Sequence, residues 1–488
     1  MNIKDNIASR RAEAWREELR QNMKNKERSA IPRVEMNELD PEYRSRNNEE
    51  VNLGLTEEQA VQEAQRCIDC PTPSCMEGCP VSINIPTFIK NIERGEFIEA
   101  AKVLKETSAL PAVCGRVCPQ EKQCEIKCIH IKMKNEPVAI GYLERFAADY
   151  ERESGKMSVP QIAAKNNIKI AVVGSGPAGL AFAGDMAKLG YSVTVFEALH
   201  EIGGVLKYGI PEFRLPNNIV DVEIEVLQKM GVEFITNCII GKTISYDDLH
   251  NDGYKGIFVA SGAGLPNFMN IPGENLIGVM SSNEYLTRVN LMDAASEESD
   301  TPVLHGKNVA VIGGGNTAMD SVRTARRLGA NRAMIIYRRS EEEMPARIEE
   351  VKHAKEEGVE FLNLHNPIEY SGDENGNVTK MRLQKMQLGE PDSSGRRRPE
   401  PIDGAIETVD VDVVIVSIGV SPNPLIPQAF DGLDVSKWGT IIVDDDSMRS
   451  SLEDVYAGGD IVRGGATVIL AMGDGRKAAA AMHEKLSS

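Results

Sequence analysis

The spacing of apolar residues divides this chain into a helical first third and a later part where short apolar runs alternate with helical segments. From Ile85 to Lys105 the apolar residues recur at helical intervals, with an interruption near Gly95. The pattern Thr56 to Gln59 is a capping box that predicts the start of another helix. Ser9 to Lys26 reads as a solvated helix in an arm that packs on another domain or subunit. Because little here alternates with period two, residues 1–165 are predicted to form an α-helical domain.

The first apolar run of the later part, Ile168 to Val173, predicts a buried strand. It leads into a glycine-rich turn, a helix from Leu180 to Leu189 and a second strand from Tyr191 to Phe196. This succession indicates a dinucleotide-binding fold, in which the turn approaches a pyrophosphate and the acid after the second strand binds a ribose hydroxyl. The predicted binding residues are Gly174, Ser175, Gly176, Pro177, Ala178, Gly179 and Glu197.

A second copy of this pattern begins with the strand Asn308 to Ile312 and continues through a helix that ends at Arg327. Its second strand, Arg332 to Tyr337, is followed by two arginines where the first copy has an acid. Arginine at this place accommodates a 2′-phosphate, so this site is predicted to bind NADPH and the first site the ADP half of FAD. The alternative is that the arginines form a solvated strand end. The predicted binding residues are Gly313, Gly315, Asn316, Thr317, Arg338 and Arg339.

Two such patterns in one chain predict a nested α/β arrangement, because the chain must return to complete the flavin site. Thr440 to Asp444 and Val455 to Asp460 are predicted to supply a strand and a loop, and a final helix opens near Thr467. Asp460 is predicted to bind the ribityl chain, although a turn acid is the alternative, and the helix N-terminus faces the flavin pyrimidine. The predicted fold is two nested Rossmann-like domains preceded by an α-helical iron–sulfur domain. Their bounds are 1–165 for the helical domain, 166–302 and 415–488 for the FAD domain, and 303–414 for the inserted NADPH domain.

Eight of the nine cysteines lie in two spaced runs between Cys67 and Cys128, which is typical of metal ligands. Iron–sulfur clusters are held by four thiolates, often with Pro after the last cysteine of a run, and Pro follows both Cys79 and Cys118. Two clusters fit the count, with the runs crossing. One group is Cys67, Cys70, Cys75 and Cys128, and the other contains Cys79, Cys118 and Cys124. Two zinc sites are the alternative that this spacing leaves open.

Charge and composition limit the partners and the cellular location that we expect for this protein. The net charge of −18 over 488 residues argues against nucleic acid or an anionic membrane as the main partner. The charged start lacks the apolar core of a signal peptide, and no run approaches the ~20 apolar residues of a membrane span. We therefore expect a cytoplasmic protein whose thiols stay reduced, which favours metal binding over disulfides.

The segment from Glu197 to Pro216 resembles the flavin segment of the small (beta) subunit of NADPH-dependent glutamate synthase. Gly314 to Asp320, Met344 to Arg347 and Gly395 to Pro399 match it as well, so that the resemblance covers nearly the whole chain from about residue 30. The chain is similar also to the large subunit of NADH-dependent ferredoxin:NADP oxidoreductase and to the N-terminal half of dihydropyrimidine dehydrogenase.

The resemblance implies FAD, NADPH and two [4Fe–4S] clusters. In these families one cluster has a Gln or Glu as its fourth ligand, and Glu144 occupies the matching place, with Cys114 as the competing ligand. Further flavin-binding residues implied by the resemblance are Gly204, Leu206 and Arg214. Gly459, in the C-terminal loop before Asp460, is also predicted to bind the flavin cofactor.

The implied activity is oxidation of NADPH at FAD and transfer of single electrons through the clusters to a partner subunit. No catalytic side chain is predicted, because the cofactors carry the hydride transfer. No segment here is long enough for an FMN-binding barrel, so a hetero-oligomer with the large FMN-containing glutamate synthase subunit is expected. The alternatives are a subunit of a bifurcating or sulfide oxidoreductase with a ferredoxin-type partner, and a zinc-stabilised flavoprotein with a regulatory or assembly role.

Overall fold

A computed structural model of the chain describes residues 3–296 and 298–487. Met1 and Asn2, where the predicted charged start begins, lie outside these ranges. The first third is helical, as predicted, with one short antiparallel strand pair, Asn37–Glu38 and Asn52–Gly54. Its α-helices are Ile3–Arg11, Ala14–Asn22, Asn25–Arg28, Pro41–Arg44, Glu57–Gln65, Ser74–Glu77, Ile85–Glu93, Phe97–Lys105, Pro111–Val117, Ile129–Lys132 and Ile140–Glu153, with 3-10 turns at Gln120–Lys122 and Glu125–Lys127.

Two local predictions in this domain are confirmed. Thr56 caps the helix that follows it, and Gln59 returns the bond of the capping box. The helical stretch after Ile85 is interrupted at Gly95, between Ile85–Glu93 and Phe97–Lys105.

The single solvated helix predicted from Ser9 to Lys26 is wrong, because the stretch is divided among three short helices and Arg16 within it is buried. Arg16 is 1% exposed and pairs with the buried Asp69. Arg28, also 1% exposed, pairs with Glu93 at 2.8 Å. These buried ion pairs fasten the N-terminal arm onto the helical domain.

The first dinucleotide-binding sheet has five parallel strands in the spatial order Val455–Ala457, Tyr254–Val259, Lys169–Val173, Ser192–Phe196 and Glu233–Ile235. The C-terminal strand therefore returns to the first sheet, which confirms the nested topology. The predicted strand from Thr440 to Asp444 is wrong, since only Ile441 forms an isolated pairing, with Val435.

The second sheet also has five parallel strands, in the order Glu360–Asn363, Arg332–Tyr337, Asn308–Ile312, Val413–Val416 and Val279–Ser281. The last of these precedes residue 303, where the inserted domain was predicted to begin. A three-stranded antiparallel sheet of His365–Gly372, Val378–Pro391 and Arg397–Asp410 packs beside the second sheet. A further antiparallel pair joins Ala263–Pro266 to Val420–Pro422.

The helices of this later part cover the sheets and connect them. They are Pro177–Lys188, Val205–Tyr208, Asn217–Lys229, Tyr246–Asn251, Ser282–Asn290, Asn316–Arg327, Ile348–Glu356, Leu425–Ala429, Asp460–Arg463 and Val468–Ser487, with a 3-10 turn at Glu341–Glu343. Within the described ranges no helix is both long and apolar enough to cross a membrane.

The largest apolar core is continuous between the helical domain and the first sheet. It joins Phe88 and Leu143 of the helical domain to Val172 and Phe182, all of which are fully buried. The two parts therefore pack as one body, with the cysteine runs beside the flavin fold.

Candidate cofactor and metal sites

The first glycine-rich turn is tight and leads directly into a helix. Gly174 has φ of +101°, and a Cβ there would lie 2.5 Å from the carbonyl oxygen of Ala260. The backbone N–H and the hydroxyl of the buried Ser175 donate to Glu197 Oε2 at 2.9 and 2.5 Å. The helix begins directly after this turn, at Pro177, so its free backbone N–H groups point towards the turn.

The other predicted flavin residues converge on the same turn. Gly204 lies against Gly176, and Gly459 of the C-terminal part lies against Ala178. Asp460 is half-buried, and burial raises its pKa. Leu206 is fully buried, and Thr467 Oγ1 accepts a hydrogen bond from the N–H of Leu470 in the first turn of the last helix. The C-terminal return thus reaches the first turn, as the nested fold requires.

Arg214 is placed differently from its predicted flavin role. Its guanidinium donates to both carboxylate oxygens of Asp320, at 2.8 and 2.7 Å, and pairs with Glu350 at 3.0 Å. Both acids belong to the part of the chain that forms the second sheet. Arg214 therefore joins the two dinucleotide-binding domains through a buried ion pair, a role that its local sequence does not signal.

The second glycine-rich turn opens into a cleft of about 830 Å³. Gly313 approaches the backbone closely, since a Cβ there would lie 2.3 Å from the carbonyl oxygen of Ser417. Gly315 and Thr317 line the cleft, whereas the Asn316 side-chain oxygen accepts a hydrogen bond from the N–H of Arg347 at 2.8 Å.

The two arginines after the second strand differ in their surroundings. Arg338 is exposed at the cleft. Arg339 is 6% exposed and donates to Asp392 at 2.7 Å and to the carbonyl oxygen of Arg397 at 2.8 Å. The sequence prediction missed Arg396, which lines the same cleft from the following hairpin. Arg338 and Arg396 are therefore the cations available to a bound phosphate.

Four of the cysteines line one small cavity in the helical domain: Cys67, Cys70, Cys75 and Cys128. Burial raises the pKa of Cys75, and Cys67, Cys128 and Cys70 raise it further. Burial raises the pKa of Cys70 to about 11. These four residues are the first group that the sequence spacing proposed, with Cys128 crossing over from the second run.

A second group forms around Glu144. Burial raises the pKa of Cys124, and Glu125, Cys79, Glu144 and Cys118 raise it further. Burial also raises the pKa of Glu144 to about 8, with a smaller contribution from Glu223. The structure therefore brings the second predicted group together with the carboxylate that the resemblance implied.

Cys114 lies beside this second group. A hydrogen bond with Cys118 lowers the pKa of Cys114, but burial and the charges of Glu144 and Cys79 raise it more, so that the pKa lies above its ordinary value. Its Sγ lies 3.4 Å from Sδ of Met472, in the C-terminal helix that begins at the flavin turn. Gly473 is the next residue of that helix, and a Cβ added to it would lie 3.1 Å from the carbonyl oxygen of Pro80. The last helix consequently touches both cysteine runs.

The donor set of both groups fits iron–sulfur clusters. All nine cysteines are free thiols, so no disulfide is formed among the described residues. Glu144 Oε1 is buried and has no hydrogen-bond partner. A buried unpaired carboxylate is costly unless it is protonated or binds a cation, and thiolates are the usual ligands of iron–sulfur clusters. Cys238 stands apart from both groups and is buried after the strand Glu233–Ile235.

Arg347 is a residue near the second group to which the sequence prediction gave no role. It is 4% exposed and donates to the carbonyl oxygen of Arg116 at 2.5 Å and to Gln120 Oε1 at 3.2 Å. The hydrogen bond with Cys114 and burial raise the pKa of Cys118 well above its ordinary value, and the positive charge of Arg347 offsets part of this rise. The inserted domain thus contributes a cation next to a cysteine of the helical domain, and only the tertiary structure reveals this contact.

Two family descriptions match the chain. Residues 44–156 match dihydropyrimidine dehydrogenase domain II, 4Fe-4S cluster. Residues 168–475 match pyridine nucleotide-disulphide oxidoreductase. The two matches follow the division into a helical part and a part with two dinucleotide-binding sheets.

Among curated proteins, the chain is 37% identical over 440 residues to the glutamate synthase [NADPH] small chain of Azospirillum brasilense, covering 89% of this chain and 90% of the relative. It is 38% identical over 439 residues to the NADP(+)-dependent formate dehydrogenase subunit beta of Moorella thermoacetica, covering 85% of this chain and 60% of that relative. Among solved structures, FprA from Mycobacterium tuberculosis gives a TM-score of 0.56 at 21% identity, covering 66% of this chain and 85% of FprA. This last likeness supports the fold of the dinucleotide-binding part.

Proposed function

The chain belongs to the family of glutamate synthase [NADPH] small chains, an assignment that rests on identity over nearly its whole length. It is an NADPH-dependent oxidoreductase with FAD and iron–sulfur domains. From this premise we propose that it is the electron-input subunit of a glutamate synthase and passes electrons through two [4Fe–4S] clusters to an FMN-containing large subunit. The observation that carries this proposal is the contact between Met472, in the C-terminal helix that begins at the flavin turn, and Cys114, which lies beside the second cysteine group.

The cofactors supply the chemistry of this proposal: FAD accepts a hydride from NADPH, and [4Fe–4S] clusters carry single electrons. The residues of the chain would bind these cofactors and orient them. The turn at Gly174 would give backbone N–H groups to the pyrophosphate, and Glu197, which Ser175 holds by a hydrogen bond, would bind a ribose hydroxyl. Arg338 and Arg396 give the second cleft its positive charge.

The proposed ligands divide between the groups that the structure assembles. Cys67, Cys70, Cys75 and Cys128 would hold one cluster. Cys79, Cys118, Cys124 and Glu144 would hold the other, with Cys114 as a neighbour. The unpartnered oxygen of Glu144 supports the choice of Glu144 over Cys114, because Cys114 Sγ contacts Met472 whereas Glu144 Oε1 has no protein partner. The match to a 4Fe-4S family supports iron–sulfur chemistry over the zinc alternative.

Iron and acid-labile sulfide, measured on anaerobically purified protein, test this assignment. We expect wild type and Cys238→Ser to hold about eight irons, as two clusters require. Cys114→Ser should match them, whereas Glu144→Ala should lose iron from one cluster and change the electron paramagnetic resonance spectrum of the reduced protein. Iron loss in Cys114→Ser with full content in Glu144→Ala would reverse the assignment, and zinc without iron would refute it.

The partner is tested by anaerobic co-purification with the large glutamate synthase subunit of the same organism, followed by an assay of glutamate formation. NADPH consumption that requires both glutamine and 2-oxoglutarate is expected. A second candidate is an NADP-linked subunit of another multisubunit oxidoreductase, which the similarity to the Moorella protein favours. Because this chain spans 60% of that relative and 90% of the Azospirillum small chain, the first candidate is preferred. A chain that reduces only a ferredoxin-type partner would support the second.

A further inference from the structure

A basic and apolar surface surrounds the first cysteine group. From Ile126 to Lys134 the chain reads Ile-Lys-Cys-Ile-His-Ile-Lys-Met-Lys, with three lysines and no acid. Ile126, Ile131 and Met133 are 53%, 42% and 40% exposed, and the lysines are exposed between them. Cys128, a member of the first group, lies in the middle of this run.

The same surface continues onto the N-terminal arm. Ser74 donates to the carbonyl oxygen of Lys127 at 2.8 Å, and Asn135 donates to that of Ser29 at 3.1 Å. These bonds hold the run against the loop of Cys75 on one side and against the arm on the other. A cleft of about 720 Å³ at this junction is lined by Arg11, Arg20, Lys24, Lys26, Cys70 and Ile129. We call the exposed residues Lys24, Lys26, Ile126, Lys127, Ile131, Lys132, Met133 and Lys134 the lysine face.

The charge of the lysine face is opposite to that of the chain as a whole. The net charge is −18, so an acidic protein is repelled by most of this molecule. Within the described ranges no carboxylate pairs with Lys127, Lys132 or Lys134. Glu27 lies in the neighbouring short helix, and its side chain accepts a hydrogen bond from the backbone N–H of Lys24. The lysines therefore remain available to carboxylates of another molecule.

Apolar residues with a charged rim are also what a protein-docking surface contains. Three large exposed apolar side chains this close together, next to a buried redox group, would otherwise be a liability in water. Cys70 is the member of the first cysteine group that lines this cleft. The lysine face therefore adjoins the place where the first cysteine group opens onto the surface.

We propose that the lysine face is the docking surface for the redox protein that receives electrons from this chain, and that this partner presents carboxylates around an apolar centre. This inference rests on the proposed function, because it requires that electrons leave through the first cysteine group. Protein, rather than nucleic acid or lipid, is the occupant because the face adjoins a redox group whose electrons only another redox centre can accept.

The test compares two triple charge reversals of the full holoprotein. Lys127→Glu/Lys132→Glu/Lys134→Glu changes the face, and Lys165→Glu/Lys242→Glu/Lys255→Glu changes exposed lysines elsewhere by the same net charge. Three acceptors are used with NADPH at low ionic strength: flavodoxin, which is acidic; cytochrome c, which is basic; and menadione, which is neutral. Oxidation of one NADPH to NADP⁺ and a proton releases two electrons, which reduce two molecules of cytochrome c.

Reversing the charge of the lysine face should lower the rate of flavodoxin reduction by about tenfold or more and raise the rate of cytochrome c reduction. The reason is that charges at the rim of an interface change the rate at which two proteins associate. Menadione reduction, flavin content and iron content should stay at the wild-type level, and the control variant should match wild type. The flavodoxin rate of wild type should also fall as salt rises.

Equal flavodoxin rates in the two triple variants would overturn the inference while leaving the proposed function standing. A changed oligomeric state in the face variant would overturn it too, because the face would then join copies of this chain. Absence of menadione reduction in wild type would instead refute the proposed function itself. Ile131→Ser, which keeps every charge, should weaken the wild-type preference for flavodoxin, and an unchanged preference would count against an apolar centre.

Discussion

Replacement of Gly115 by Ala is expected to separate the helix that leads into Cys118 from the helix that carries Glu144, both residues of the second group. Gly115 lies in Pro111–Val117, and a Cβ there would lie 2.5 Å from the backbone nitrogen of Arg145 and 2.7 Å from its Cα. Backbone atoms cannot rotate away as a flexible side chain can, so the helices must move apart. Cys114 and Glu144 are the chain neighbours of these two residues, and both should be displaced with them.

The change in the free energy of unfolding of Gly115→Ala follows from two opposing contributions. Overpacking of a well-packed contact costs about 1–3 kcal/mol, and the fixed backbone on the far side places this site at the upper end. The gain in helix propensity from Gly to Ala returns about 1 kcal/mol. A net loss of about 2 kcal/mol lowers the midpoint of thermal unfolding by about 4–8 °C for a domain of this size.

Thermal unfolding and iron content of Gly115→Ala should be measured beside Gly264→Ala, whose added Cβ would meet no atom within 4 Å. We expect the first variant to unfold at lower temperature and to lose iron, while the second matches wild type. If the two variants had equal midpoints and equal iron content, the close approach of the helices would not control the geometry of the second group.

Two further changes test the inserted domain. Arg338→Ala should raise the KM for NADPH about tenfold or more and leave that for NADH unchanged, since a charge-assisted hydrogen bond contributes about 1.5–3 kcal/mol. Arg332→Ala is the control, because Arg332 begins the strand that precedes Arg338 and pairs with Glu360; equal effects on both cofactors would contradict a phosphate contact. Burial raises the pKa of Glu357, but its ion pairs with Arg323 and Arg327 outweigh burial and lower the pKa to about 2, from the ordinary value of 4.5. This depressed pKa adds about 3 kcal/mol of stability above pH 4.5, which is lost as the pH falls towards 2. Glu357→Gln should therefore be less stable at pH 7, by a difference that narrows below pH 4.5 in denaturant unfolding; a constant difference would show that the charge of Glu357 is not responsible.

The glycine-rich turns and the cysteine grouping could be predicted from the sequence because both depend on local spacing. A strand, a turn that only glycine allows at Gly174 and a helix start are encoded within a dozen residues. The crossing of Cys79 and Cys128 between groups could be predicted from two-cluster ferredoxins, in which the last cysteine of a run ligates the other cluster. The thiols of each group lie together in the fold, and Glu144 lies with the second group.

The partners of the arginines could not be predicted in this way. Arg214 and Arg339 both lie where a local motif indicates cofactor binding, yet Asp320 and Asp392 bind them. Neither acid is near in sequence, and the free energy that decides between a ligand and an internal ion pair comes from tertiary contacts. The long hairpin Val378–Pro391 and Arg397–Asp410 was not predicted at all, and much of its second strand is exposed, which weakens the alternation of apolar and polar residues.

The crossing of the cysteine runs makes the two groups interdependent. Cys79 belongs to the first run but joins Glu144, and Cys128 belongs to the second run but joins Cys70. Neither group has all of its proposed ligands in place until both cysteine runs have folded against the helix Ile140–Glu153. Because metal binding contributes to folding free energy, loss of one cluster should weaken the other. The last helix, which touches Cys114 through Met472 and Pro80 through Gly473, extends this dependence to the flavin turn. Electron flow from the flavin through the second group to the first, and out at the lysine face, would then require that all three sites form together.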